Sequence, residues 1–364
     1  GIKVDKYQNI YVTVPRWLEG VPATLNKLQK VGNEYLLSPY PSWDTQTVGI
    51  SGELQNCQSM IIDSNGLMFA IEVGRRNFYE SNPTKTVNGA PGVWIINTET
   101  GEIQTQYYFP AYVASPNNSF VNDIVLDEKK QIAYLTDAWG TGGLIIYNYL
   151  LGTSRRYSGP STANDPNYVM IINGVNYGKN QFTTPIDGIA ITDDSKAIFY
   201  CAVQNVYLYR IPTSVLNDFS KTNDQITSSV EIIPGTKEPS DGMMYLNGVL
   251  YYGSLPESTY YALKISSKSN PDISESVPVW PDQVNMRWLD TFATDPNDPN
   301  KLWIISNALN LFFTGGYDWT GATGANMKIL TTTTTSFHSS SSDDETKTAY
   351  QITMIVFIIL TCIL

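Results

Sequence analysis

A pattern that recurs six times along the 364 residues constrains this chain more than any other feature. Each copy runs from a small or acidic residue through an apolar stretch and a short polar turn to a second apolar stretch. Copies occupy residues 57–72, 122–137, 186–202, 240–254 and 289–306, and residues 1–13 open the chain with the same shape. The leading positions are Gly1, Ser59, Asp123, Asp187, Asp241 and Asp290, separated by 58, 64, 64, 54 and 49 residues. Apolar runs broken by Asp, Asn and Gly read as antiparallel hairpins. Third-strand candidates follow at residues 92–97, 143–148, 206–211 and 260–265. Four-stranded propeller blades repeat every 40–50 residues or so, longer where loops are inserted. The fold class expected is therefore all-β, a six-bladed β-propeller over residues 1–330. A β-sandwich or a β-helix lacks this spacing.

Composition removes most of the usual chemistry. The only histidine is His338, so Ser-His-Asp and Cys-His catalysis and histidine-based zinc sites are excluded from the propeller. Cys57, Cys201 and Cys362 show no CxxC spacing. Cys57 and Cys201 fall in non-adjacent repeats, which argues against a disulfide, and Cys201 reads as a buried thiol. A net charge of −11 argues against binding nucleic acid. No cofactor and no metal is expected.

The ends of the chain differ from its middle. Residues 331–342 are a Thr/Ser-rich tract that reads as a glycan-bearing stalk, and Asn117-Asn118-Ser119 is a glycosylation sequon. Residues 343–364 are a polar spacer and an apolar tail. The apolar part, residues 352–364, is 13 long, against about 20 for a helix crossing a bilayer. Small residues, a spacer of about 8–12 and a tail of about 10–20 form the pattern of a GPI-attachment signal. The expectation is an extracellular protein whose membrane contact is a C-terminal lipid anchor.

In a propeller the first strand of each blade lines the central channel. Asp123, Asp187, Asp241 and Asp290 would then meet at one mouth, with Asn122 beside them. Like charges so placed repel unless a cation, an ammonium ligand or hydrogen-bond donors offset them. The bland alternative is that each aspartate merely caps its turn.

Several segments together resemble the major royal jelly protein/Yellow family. They are residues 12–25 (Val-Thr-Val-Pro-Arg-Trp-Leu-Glu-Gly-Val-Pro-Ala-Thr-Leu), 38–43 (Ser-Pro-Tyr-Pro-Ser-Trp), 72–75 (Glu-Val-Gly-Arg), 122–127, 209–213, 240–243, 288–292 (Trp-Leu-Asp-Thr-Phe) and 306–309 (Ser-Asn-Ala-Leu). The resemblance implies a secreted six-bladed propeller. It also implies a small-ligand site of amine or catechol type at one end of the channel, with Thr291 and Asn307 at matching motif positions; in such a binding module Trp288 or Trp139 would supply an aromatic wall. Leu289 stands where the family has proline. The family's usual leading segment is missing ahead of residue 1, so an incomplete N-terminus is expected.

Four function classes remain. The first is a ligand-binding module built on Asp123, Asp187, Asp241, Asp290, Thr291, Asn307, Asn122 and Trp288. The second is a dopachrome-converting tautomerase or isomerase, which without histidine would run on carboxylates. A calcium-dependent lactonase-type propeller ranks lowest, and a structural cell-surface protein needs no site at all. Residues 15–17, Pro-Arg-Trp, are read as a loop anchor, as are Arg75 and Arg76.

Overall fold

The computed structural model describes residues 1–32, 34–82, 86–265, 271–320, 322 and 324–334, and the backbone of 353–357. His338, Cys362, the serines 339–342 and the spacer at 343–351 lie outside the described residues. Six four-stranded antiparallel sheets follow one another along the chain. Their first strands are Ile2–Val4, Cys57–Ile62, Val121–Asp127, Ile186–Ile191, Met243–Leu246 and Trp288–Asp295. Each first strand packs beside the first strands of its two neighbours, and Ile2–Val4 contacts both Cys57–Ile62 and Trp288–Asp295, so the ring is closed. This is a six-bladed β-propeller, as the repeat predicts. The hairpin turns carry the residues they require: Asn247 and Gly248, between the first two strands of blade five, both take left-handed conformations with φ of 51° and 80°.

The core consists of six apolar layers, one between each pair of neighbouring blades. The strand Leu67–Glu72 shows how the sequence feeds them. It is a continuous apolar run, but successive side chains point to opposite faces. Met68 and Ala70 join the layer shared with blade one, while Phe69 and Ile71 join the layer shared with blade three. The layer that closes the ring joins Ala293, Trp303, Ile305 and Ile329 of blade six to Ile2, Val4, Ile10 and Val12 of blade one. At about 1.5–3 kcal/mol for each fully buried large apolar side chain, these layers dominate the stability.

Two details depart from the expected boundaries. The third strand of blade six is Met327–Thr333, so it runs three residues past Leu330 into the threonine tract. Thr331 and Thr332 are buried there, and β-branched threonine suits a strand. The outermost strand of blade six is Thr353–Phe357, from the segment read as a removable tail, paired antiparallel to Met327–Thr333. Cys57 and Cys201 are buried free thiols.

Candidate functional site

The leading position of each repeat sits where a strand bends into the channel. In blades two, three, four and six the ladder slips in register at that point: between Cys57 and Met60, Val121 and Ile124, Ile186 and Ile189, and Leu289 and Thr291. Such bulges re-aim a side chain, here Ser59, Asp123, Asp187 and Asp290. The glycines that follow two of the aspartates have a steric cause. A Cβ on Gly188 would press on the Asp241 carbonyl oxygen, and one on Gly242 on the Asp290 carbonyl oxygen. Neighbouring first strands approach too closely there for any side chain.

The four aspartates are not equivalent. Asp187 and Asp241 are buried, with 7% and 6% of their surface exposed, and each acts on the other's acidity. Two buried carboxyls that act on each other disfavour joint ionisation. Asn122 Nδ2 donates to Asp187 and Trp288 Nε1 donates to Asp241. Burial, helped by the other channel carboxylates, pushes Asp187 up to about 7 and Asp241 well above the carboxylate range. Asp123 accepts from Ser59 Oγ at 3.1 Å and from the Ile124 amide at 2.9 Å, and burial raises it too. Asp290 is more open, its side chain 22% exposed. It accepts from Thr291 Oγ1 at 2.9 Å, from Asn307 Nδ2 at 3.2 Å and from the Gly1 nitrogen at 3.4 Å.

Lys3 helps to offset this negative charge. It faces Asp123 and Asp290, and its Nζ donates to the Phe292 carbonyl oxygen at 3.0 Å. Desolvation lowers its pKa while the two carboxylates oppose that. The sequence reading missed Lys3, although strand alternation carried the signal: two residues past Gly1, it points the same way as the leading position.

A cap closes the channel over Asp187 and Asp241. The hairpin Met170–Ile172 and Val175–Gly178 reaches across the mouth, where Ser258 Oγ donates to Asn173 at 2.8 Å and Asn310 Nδ2 to the Tyr177 hydroxyl at 3.1 Å. Phe182 lies between Trp288 and Phe313, with ring centroids 5.4 and 5.5 Å away. Trp288 is accordingly buried in an apolar cluster rather than walling a pocket. Trp139 lies under the Arg75 guanidinium at 4.2 Å, outside the cavity described next.

That cavity, of about 410 Å³, opens between blades one and six. Asp290, Asn307, Gln58 and Thr13 line it together with Trp17, Phe312, Tyr317 and Trp319. Glu19, Glu80 and Asp318 add further carboxylates, and no lysine or arginine is among its lining residues. Trp17 is its anchor, with ring centroids 5.4 to 6.4 Å from Tyr79, Phe120, Phe312, Phe78 and Phe313. The preceding residue, Arg16, is buried and donates to the carbonyls of Val21, Pro22, Gln46, Leu54 and Gln55, which fixes the loop. The anchoring role expected for residues 15–17 therefore describes Arg16, while Trp17 forms cavity wall. Tyr317 and Trp319 come from a loop outside the repeat, so no periodicity marked them. Asn307 serves twice, since its Oδ1 also accepts from the Leu309 amide at 2.9 Å at the start of the helix Leu309–Thr314. That helix carries Phe312 into the cavity wall and Phe313 into the cap. Thr291 is buried and reaches the cavity only through Asp290.

The aromatic and acidic lining suits a small organic cation, which cation–π contact and carboxylates both favour. Among the described residues no group of three or more His, Cys, Asp or Glu side chains is placed to hold a metal ion. No helix among them is long and apolar enough to cross a membrane.

The Major royal jelly protein family matches residues 56–338. Protein yellow of Drosophila guanche is 25% identical over 354 residues, covering 91% of this chain and 59% of that protein. Protein yellow of Drosophila melanogaster is 23% identical over 354 residues, covering 91% and 62%. The chain thus spans about six tenths of the length of these relatives. Among solved structures, a putative 6-phosphogluconolactonase from Bacteroides fragilis superposes with a TM-score of 0.54 at 10% identity, covering 95% of this chain and 82% of that one. The PQQ-bound aldose sugar dehydrogenase from Streptomyces coelicolor gives 0.50 at 10% identity, covering 91% and 92%. At such identity these likenesses concern the fold alone.

Proposed function

The chain belongs to the major royal jelly protein family, and on that premise we propose that it is an extracellular propeller that binds a small amine or catechol-type ligand in the cavity between blades one and six. One observation carries this reading: Trp17, Phe312, Tyr317 and Trp319 surround a space of about 410 Å³ into which Asp290 projects, with no lysine or arginine in the wall. An aromatic ring would stack on the walls and its ammonium group would approach Asp290. Calorimetry with serotonin, dopamine and noradrenaline tests the reading. Micromolar binding that weakens at least tenfold in Asp290→Asn supports it. No heat from any of the three at high micromolar concentration removes it and leaves a structural surface protein.

A second reading, dopachrome conversion, would run on the channel carboxyls, of which Asp290 lines the cavity while burial holds Asp187 and Asp241 toward their protonated forms. Dopachrome absorbance decaying at the same rate with wild type, with Asp241→Asn and without protein excludes it. Extracellular placement also motivates a glycan on Asn117, which is exposed, and a lipid anchor in place of residues 343–364. Glycosidase and phospholipase treatment of cells expressing the chain tests both. Anchoring and the strand Thr353–Phe357 exclude each other in one molecule, since removing the tail leaves blade six with three strands.

A further inference from the structure

Two arginines at the channel mouth are used in opposite ways. Arg16 spends its guanidinium donors on five carbonyls and fixes its loop. Arg75, read in the sequence as another loop anchor, does not do this with its side chain. It is 5% exposed, and its Nε and Nη2 are buried with no hydrogen-bond partner among the described residues. Glu72 pairs with Cys57 at the start of blade two, so Arg75, three residues further on, stands at the mouth where the leading positions lie. The rings of Phe78 and Trp139 cross there at 85° and form a corner. The guanidinium sits in that corner, 4.2 Å from the Trp139 centroid and 5.0 Å from the Phe78 centroid. We propose that the Nε–Nη2 edge of Arg75 is an anion site that takes a small organic carboxylate, with Trp139 as its gate.

Nε and Nη2 lie on one edge of the guanidinium and present parallel N–H bonds, the fork that a carboxylate accepts with both oxygens. Contact with aromatic rings stabilises the charge but supplies no acceptor for these N–H groups. A charged donor buried without an acceptor is costly, so the fork calls for one. The carboxylates around it are engaged elsewhere. Asp137 Oδ1 accepts the Phe120 amide at 2.6 Å, and Oδ2 accepts from Arg156. Glu72 accepts the amides of Gln55, Asn56 and Gly74 at 2.5, 3.1 and 2.8 Å. Arg76, the next residue, also has its Nε buried without a partner among the described residues, so two guanidinium groups follow each other here in a chain of net charge −11. Entry lies past Trp139, which is 36% exposed and can turn toward solvent. The following Gly140 has a φ of 63° and open space around it. Because the fork is buried, the ligand is a small molecule and not the surface of a folded protein. Arg75 is not among the lining residues of the cavity between blades one and six, so this site does not rest on the amine-binding reading.

Tryptophan fluorescence of the full chain tests this, titrated with acetate, butyrate and inorganic phosphate at an ionic strength held constant with sodium chloride. Wild type, Trp139→Phe and Arg75→Lys are compared. The expected result is a saturable change with both carboxylates in wild type that is absent in Trp139→Phe. Arg75→Lys keeps the charge but not the fork, and should bind the carboxylates at least about tenfold more weakly. No saturation in wild type, or a signal that persists in Trp139→Phe, overturns the site. Equal affinity in wild type and Arg75→Lys overturns recognition by the fork. Phosphate that binds about tenfold more tightly than either carboxylate overturns the assignment to a carboxylate. Should Arg75→Lys fail to fold, the wild-type and Trp139→Phe titrations decide alone.

Discussion

Asp290 and Asp241 occupy the same position in successive repeats and meet opposite fates. Asp290 looks into an aromatic cavity beside blade one, held by Thr291 and Asn307. Asp241 is buried under Trp288 and the cap hairpin, and burial and neighbouring carboxyls push its acidity well above the usual carboxylate range. The repeat delivers both carboxyls to one mouth, and the inserted loops decide which stays open. Residues 165–183 and the helix Leu309–Thr314 cover blades four and five, while the loop carrying Trp17 leaves a space at blade six. Equivalent positions in a repeat protein therefore need not share a function, even when they share a residue.

Backbone spacing gives the largest expected contrast. Gly242→Ala presses a methyl group on the Asp290 carbonyl and is expected to cost over about 3 kcal/mol in thermal unfolding. Gly324→Ala, on the cavity side with nothing within 4 Å, should cost about 1 kcal/mol from its φ of 104° alone. Similar losses at both sites would break the distinction between a crowded channel and an open cavity.

Acidity comes next. The pair's folded pKa values lie above those of unfolded aspartate, near 4, so the native state holds an extra proton between that value and about 7. Its stability contribution is complete below about pH 4 and is lost as pH rises to about 7. Asp241→Asn removes one of the two groups whose acidity burial raises. Urea unfolding at pH 5 and pH 8 should show that wild type loses about 2 kcal/mol more than this variant over that interval.

Smaller effects sharpen the cavity side. Trp319→Ala is expected to weaken amine binding about tenfold while changing stability by less than about 1 kcal/mol, because Trp319 is 48% exposed. Thr291→Val removes one donor from Asp290 and should lower stability by about 1 kcal/mol, with amine affinity held within about twofold. A large loss of affinity in Thr291→Val would instead place that hydroxyl on the ligand.

Much of the fold was legible because it is local and repeated. The third strands of blades two and three fall at residues 92–97 and 143–148, where alternation puts them. Those of blades four and five are displaced by one to three residues, as Tyr209–Pro212 and Thr259–Lys264, where tyrosine runs blur the period. The candidate site was legible only in part. The aspartates follow the repeat, whereas Lys3 was missed although alternation carried its signal, and Phe312, Tyr317 and Trp319 lie in an insertion whose conformation depends on what it packs against.

The number of blades, the alternation that feeds each apolar layer and the carboxylate at four of six channel positions are legible in the chain alone, because strand periodicity and turn chemistry act over a few residues. The chain alone also excludes histidine chemistry from the propeller. The folded ring settles which carboxyls burial pushes toward protonation, which one faces a cavity and where Lys3 puts its charge. Desolvation and Coulomb energies depend on distances across the ring, between residues as far apart as Lys3 and Asp290, and no local pattern in the chain encodes those distances.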